Sequence, residues 1–323
     1  MVSLFESIYP DKRPVSASEI QFMLKLFQQD LKTGLLEISY SPEDKILLLI
    51  NTGKISCAYL ADGDQTTRYP LSDLPELFQG RNQGVIRVCE LSPAFLGALR
   101  TILEQNRTST TLSSSTAALS GLIRKWQTMP EPSLIHIRWP NAEGFAFIPG
   151  NHFSARQYAF VAEGSPSDSA AAVSMFSRWS ESECVISHYT GNADLEIWKE
   201  NNLQLGFALL LEHSLRRYDE LAGHSLSVKL EDSLNRLCQA HSWNISIANT
   251  SVDDVQIFET ISDAALAYRA IFDLASRHIS QVIGSGLFNE TVEMGLAGLS
   301  GQLRQAVETN DLVAILSVSL IRG

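Results

Sequence analysis

The hydrophobic period of this chain shifts from mainly strand-like to mainly helical near Tyr189, and that shift narrows the folds open to it more than any other feature. Before it, apolar residues come as short runs and alternations between turn residues. After it, they recur every three or four positions over long stretches. Period two marks strands that bury one face, and period 3.6 marks helices that bury one stripe. Strands first and helices afterwards predict an α+β chain.

The opening element reads as a helix over about residues 18–32, with Ile20, Met23, Leu24, Phe27 and Leu31 on one face. Ser18 and Gln21 have capping-box spacing, and Gly34 stands where a left-handed stop is wanted. Strands follow. Leu36, Ile38 and Tyr40 alternate with polar residues, Ser41-Pro42-Glu43-Asp44 makes a turn, and Ile46 to Ile50 is a continuous apolar run. Asn51-Thr52-Gly53-Lys54 supplies hairpin chemistry before a returning strand, Ile55 to Leu60, closed by Asp62-Gly63. A short helix near 73–79, a strand at 85–89 and a helix opening at Ser92-Pro93 complete the set. The Ser/Thr run from Thr108 to Thr116 then reads as a linker, with a short helix near Leu119 to Trp126.

The next segment repeats the first. Pro140, Phe145, Phe147, Phe153 and Phe176 stand 98 positions after Pro42, Leu47, Leu49, Ile55 and Phe78, while Gly150 is one position out of step with Gly53. An internal duplication explains this, and so does a shared strand order arising by chance. Past Tyr189, Leu203, Phe207, Leu211, Leu215 and Tyr218 form one helix face, and Leu230, Leu234, Leu237 and Cys238 another. Trp243 to Ile247 alternates and is expected to return to the second sheet. Tyr268, Phe272, Ala275, Ile279 and Val282 line a helix ended by Gly284. Leu287, Val292, Leu296, Leu299 and Leu303 line the next, and Ile315 and Leu316 sit on a short last one. The expected organisation is two related sheet-plus-helix domains, 1–104 and 134–250, joined by a Ser/Thr-rich linker, 105–133. The second domain carries a helical insertion, and a C-terminal helical bundle, 251–323, follows.

The segment Lys32-Thr33-Gly34-Leu35-Leu36-Glu37-Ile38, followed by Leu47-Leu48-Leu49-Ile50-Asn51-Thr52-Gly53-Lys54-Ile55 and the small Ala58, resembles the PATAN domain of bacterial signalling proteins over residues 1–104. A weaker second copy covers 134–250. Two departures stand out. Gly84-Val85-Ile86-Arg87-Val88 replaces the family's closing G-x-F-x-F, and Asn151-His152 stands where the family has Gly-Lys. The resemblance implies an adaptor in bacterial signal transduction. It would work near a response regulator, a small GTPase or a motility apparatus, and no catalytic residues carry over.

The 323 residues are 45% hydrophobic and 19% charged, enough apolar material for a core and for two or three domains. A net charge of −11, with no basic block, argues against nucleic acid and against an anionic membrane surface. No stretch approaches the roughly 20 apolar residues that cross a bilayer, so no membrane insertion is expected. The first ten residues lack a basic start and a long apolar run, which predicts no secretory leader and a cytoplasmic location. Cys57, Cys89, Cys184 and Cys238 are too scattered for a zinc site and read as small buried hydrophobes.

No phosphate loop, dinucleotide fingerprint or nucleophile elbow is present, and no two of the seven histidines have helical ligand spacing. No catalytic, cofactor-binding or metal-ligating residue is therefore expected. Gly284-Ser285-Gly286 reads as an interhelical turn, and Asp253-Asp254 and Asp62 with Asp64 as turn residues. Glu181 and Glu183 are expected to face solvent, and His213 and His224 to serve surface or cap roles. Gly295, Gly298 and Gly301 recur every three positions in one helix. Either the helix breaks there or the glycines admit a close neighbour, internal or in a homodimer or partner. Trp198, with Trp139 and Trp179, is a candidate interface residue if exposed. The expected function is a non-enzymatic protein–protein interaction adaptor. The alternatives are an enzyme or ligand-binding protein whose site is not visible as a motif, and a structural subunit of a larger complex.

Overall fold

The computed structural model describes residues 14–313 except 16, 42, 63–64, 80, 82–83, 106–109, 140–141, 152–155, 163–164, 168–182 and 193. The features expected at Pro42, Gly63, Asp64, Pro140, His152, Phe153, Phe176, Trp179, Glu181, Ile315 and Leu316 lie outside the described residues. The chain is α+β and divides into two compact units. One comprises Met1–Ile123, Leu134–Phe147 and Ala155–Thr190, the other Arg124–Ser133, Ile148–Ser154 and Gly191–Gly323.

The first unit holds two six-stranded antiparallel sheets. The first sheet contains β1 (Pro14–Val15), β2 (Gly34–Ser39), β3 (Asp44–Asn51), β4 (Lys54–Asp62), β5 (Gln65–Tyr69) and β6 (Gly84–Glu90), in the order β1-β6-β2-β3-β4-β5. Strand alternation sends Leu36, Ile38, Ile46, Leu48, Ile50, Ala58 and Val88 to one face. There they meet Ile20 and Phe27 of α1 (Ala17–Gln29) and Leu77 of α2 (Leu74–Leu77). Helix α3 (Pro93–Gln105) starts on its proline, packs on β2, β3 and β5, and also touches the second sheet.

The second sheet contains β7 (Thr110–Ser115), β8 (Ser133–Trp139), β9 (Ala142–Ile148), β10 (Arg156–Ala162), β11 (Ser165–Ser167) and β12 (Glu183–Thr190). Its order is β7-β12-β8-β9-β10-β11, the first order with every strand number raised by six. Helix α4 (Thr116–Gln127) stands between β7 and β8 as α1 stands between β1 and β2. The glycine that looked out of step fits this repeat. After β3, Thr52 and Gly53 both adopt left-handed backbone, at φ 47° and 78°; after β9, Gly150 and Asn151 do so at 78° and 51°. A turn with two left-handed places accepts glycine in either.

Several boundaries differ from the sequence reading. Within 105–133, read as a linker with a short helix near Leu119 to Trp126, that helix is α4, and the unexpected element is β7. Strand β7 pairs with β12 from Glu183↔Ser115 to His188↔Thr110. As an edge strand it needs no apolar neighbour on its outer side, so a Ser/Thr run suffices. Gly34 does not end α1. It opens β2, where a Cβ would collide with the Cys89 carbonyl, and the left-handed residue after α1 is Leu31, at φ 50°. The strand after Trp243 does not return to the second sheet. It is β13 (Ile245–Ala248), paired with β14 (Ser251–Asp254) in a separate hairpin.

The helices read as an insertion belong with the C-terminal ones. In the second unit α5 (Glu196–Ala222) is buried nearly all round. It packs on α6 (His224–Ala240), α7 (Ile261–Ile283), α8 (Ser285–Gly298), α9 (Gly301–Thr309) and β14. A helix buried on nearly every side, polar Asn201, Asn202, Glu212 and Ser214 included, cannot be a surface insertion and becomes the axis of a core. Phe207 of α5 stacks on Tyr268 of α7 at 4.3 Å. Thr260 caps α7, its hydroxyl accepting the Asp263 N–H.

Candidate functional site

The residues singled out in the sequence do not form one surface. A Cβ on Gly295 would lie 2.7 Å from a Leu210 methyl and 3.1 Å from the His213 ring, so this glycine lets α8 approach α5. Gly206 does the same from α5, facing Val307 and the Leu303 carbonyl. Gly298 is the last residue of α8, and its carbonyl accepts the Asn151 side-chain amide at 2.8 Å. Gly301 opens α9 after the break at Leu299-Ser300. Trp198 is 0% exposed and Trp139 is buried, so neither is available as a surface anchor. Gly284 is an interhelical turn, as expected, at φ 86°.

His224 is exposed and bonds to Asp219 at 3.1 Å. Burial holds the His213 imidazole below the usual histidine range, with Arg216 adding to the effect. Among the described residues no group of three or more His, Cys, Asp and Glu could hold a metal, and no helix is long and apolar enough to cross a membrane. The four cysteines are free and buried.

Two polar constellations in the first unit were not visible in the sequence. The Tyr59 phenol donates to Glu104 Oε1 at 2.7 Å. The same oxygen receives Arg100 Nε at 3.0 Å and faces Arg68 at 3.5 Å. Burial raises both the Tyr59 phenol and the Cys57 thiol beside it. On the second sheet, His136 of β8 bonds to Glu143 Oε1 of β9 at 2.7 Å and stacks on Phe145, which meets Phe95 of α3 edge-on. Burial holds His136 below its ordinary pKa, against the pull of Glu143. A carboxylate-oriented imidazole is half of a nucleophile-activating arrangement.

The densest polar arrangement surrounds the β13–β14 hairpin. Its turn residues, Asn249 and Thr250, both have left-handed backbone, at φ 52° and 60°, and neither is glycine. Glu231 of α6 accepts both of their N–H groups, at 3.2 and 2.7 Å. One step into the hairpin, Ile247 and Val252 face each other and turn their backbone groups outward. Asn235 of α6 takes both groups of Ile247, its amide donating to the carbonyl at 2.8 Å and its oxygen accepting the N–H at 2.9 Å. Glu212 of α5 accepts the Val252 N–H at 2.8 Å. Both outer edges of the hairpin are thus closed to another strand by side chains.

At the open end of the hairpin lies Asp254, which is not the turn carboxylate the sequence suggested. It ends β14, is 2% exposed, and accepts the Gln256 N–H at 3.0 Å. The one sequence signal was polar spacing: Glu231 and Asn235 share a face of α6 with Leu234 and Cys238.

Exposed apolar residues collect elsewhere in this unit. Gly295 meets Leu210 and His213, and Thr291 one turn earlier bonds to His213, so α8 runs antiparallel to α5, whereas Gln302 meets Asn202 and Val307 meets Gly206, so α9 runs along with it. Helix α7 is joined to α8 through Gly284 alone, as α5 is joined to α6 through Gly223 alone. Both glycines have nearly the same backbone, φ 91° at Gly223 and 86° at Gly284. From the Phe207–Tyr268 stack each turn is sixteen residues further on, about 24 Å along parallel helices. Both turns therefore lie at one end of the bundle. Leu221, Leu226, Val228, Val282 and Leu287 flank them, each 36–50% exposed, while Leu266 and Met294, the other exposed large hydrophobics of this unit, lie further along α7 and α8.

No protein-family model, no curated protein and no solved structure matches this chain. The likeness to PATAN domains rests on the motifs quoted above.

Proposed function

We propose that the chain is a non-catalytic protein–protein interaction adaptor, working in bacterial signal transduction as its PATAN-like motifs imply. The reading is carried by the concentration of exposed apolar side chains at the two-turn end of the helical unit. Monomeric surfaces carry few such groups together, and those that exist are often contact sites. The polar groups that could do chemistry are instead engaged in packing: Glu104 on two arginines and a phenol, Glu212 and Glu231 on backbone N–H groups. The expected partner is another protein that lays an apolar helix or edge on this end, such as a response regulator or a small GTPase.

The test uses the full chain, because the two sheets share one compact unit. Wild type and the double variant Leu226→Asp, Leu287→Asp are used as baits in cells of the source organism, with circular dichroism confirming that both fold. One partner, retained by wild type and lost by the variant, is the expected result. Equal retention by both baits, or no retention by either, would overturn the proposal.

A further inference from the structure

The β13–β14 hairpin is pinned at its turn by Glu231 and along its edges by Asn235 and Glu212, yet its open end is held by a different kind of contact. There Asp254 projects into the helices. Around its carboxyl stand the Tyr268 phenol from α7, Gln204 from α5 and the Cys238 thiol from α6, with Glu200 of α5 facing the same phenol. Asp253 precedes it on β14, and Gln256 follows. Gln204 donates to the Asp254 carbonyl at 3.0 Å, and Gln256 accepts the Asn244 N–H at 2.8 Å, tying the two strand ends together.

Among the described residues, the titratable groups recorded as acting on Asp254 are a phenol, a thiol and the Asp253 carboxylate, with the Glu200 carboxylate beyond the phenol. All are neutral or negative. The contrast with Glu104, which faces Arg100 and Arg68, is direct. A buried carboxyl in such company is stable neutral and strained when ionised. The phenol, the Gln256 N–H and the Gln204 amide ease the ionised form but do not reverse the balance, and burial raises the group to about 6.

We propose that Asp254 is a proton-operated latch: neutral, it holds the open end of the β13–β14 hairpin against α5, α6 and α7; ionised, it releases that end. Ionisation sends the proton to solvent and leaves a carboxylate beside Asp253 and the phenol. Separation of the strand ends, breaking the Val255 N–H bond to the Asn244 carbonyl, lets water reach it. The latch is independent of the adaptor reading, since its residues are buried within the unit.

Hydrogen exchange of the Asp253 and Val255 amides, corrected for intrinsic rates, reads the latch directly. In wild type, protection is expected to fall on the order of tenfold or more between pH 5 and pH 7.5, because moving a titration by one pH unit changes the balance of the two forms by a factor of ten. Asp254→Asn removes that dependence and stays protected throughout. Tyr268→Phe deletes a donor to the carboxylate and moves the midpoint to higher pH. Asp253→Asn keeps a fall of wild-type size. A flat wild-type profile, or an Asp254→Asn profile that still falls, overturns the latch. If Asp254→Asn does not fold, Tyr268→Phe decides: a raised midpoint supports the latch, and an unchanged or lowered one overturns it.

Discussion

Two hairpins in this chain solve the same backbone problem with different chemistry. The β3–β4 turn has left-handed residues at Thr52 and Gly53, and the β13–β14 turn has them at Asn249 and Thr250. In the first, glycine takes one of the two places at no steric cost. Thr52 in the first and Thr250 in the second are both β-branched residues where L-residues rarely sit, but the second turn has no glycine beside its threonine, and the conformation costs of order 1–3 kcal/mol unless its surroundings hold it. The surroundings do hold it: Glu231 binds the two turn N–H groups from outside the hairpin. The first turn is held from outside as well, Thr33 Oγ1 accepting the Thr52 N–H at 3.0 Å and the Lys32 carbonyl accepting the Gly53 N–H at 2.7 Å, so what separates the two turns is the glycine, present in the first and missing from the second. The second, with no glycine, depends more on its outside acceptor.

The comparison can be broken at three points, in order of decreasing effect. Gly53→Val forces a branched side chain into positive φ and puts its Cβ 2.9 Å from the Phe27 carbonyl, at the end of α1. A loss of about 3 kcal/mol is expected, read as a fall in the denaturant midpoint. Glu231→Leu removes one charged acceptor from two N–H groups that water can partly reach. It should cost about 2 kcal/mol and raise exchange at Asn249 and Thr250 first. Thr250→Gly relieves the strained place and should gain about 1 kcal/mol in wild type. In the Glu231→Leu background it should restore part of the loss. Were Thr250→Gly destabilising in both backgrounds, the left-handed turn would not be the strained feature.

The pH dependence of the two units carries a related contrast. Burial raises Asp254 from the usual carboxylate range to about 6. The folded state then binds the extra proton between about pH 3.8 and 6. Its contribution to stability is present in full below that window and is lost as pH rises through it. His188 in the first unit is lowered to about 4 by burial. Its contribution is present above the ordinary histidine range and is lost as pH falls from about 6.5 toward 4. Calorimetry of Asp254→Asn and of His188→Gln should therefore flatten opposite slopes. Because His213 acts in the second unit with the same sign as His188, the Asp254 slope is isolated by the variant rather than by wild type alone.

Much of the fold was legible because local signals and tertiary structure agreed. The alternation through Leu36 and Ile38, the run from Ile46 to Ile50, Gly53, and Pro93 at a helix start all appear as read. The errors fell where a distant partner decided. Thr110–Ser115 becomes a strand because β12 offers an edge. Ile245–Ala248 joins β14 rather than the second sheet. Helix α5 is buried nearly all round because it lies among four other helices, which a one-face reading of Leu203, Phe207 and Leu211 understates. The polar clusters were hidden for the same reason. Glu104 with Tyr59, and His136 with Glu143, are joined by pairing and packing between elements, not by spacing within one. Trp198 marks the opposite failure: its residue type suggested an interface, and its place on the inner helix buries it.

The adaptor account is tested most directly by hydrogen exchange across the whole chain, with and without the protein that it retains from its native cell. The account predicts new protection at residues 221–228 and 282–287, around the two glycine turns, with little change at the hairpin edges already closed by Asn235 and Glu212. Protection centred instead on α1, whose Phe22 is also exposed, and on Leu31 just after it, or no change at either turn, would contradict it.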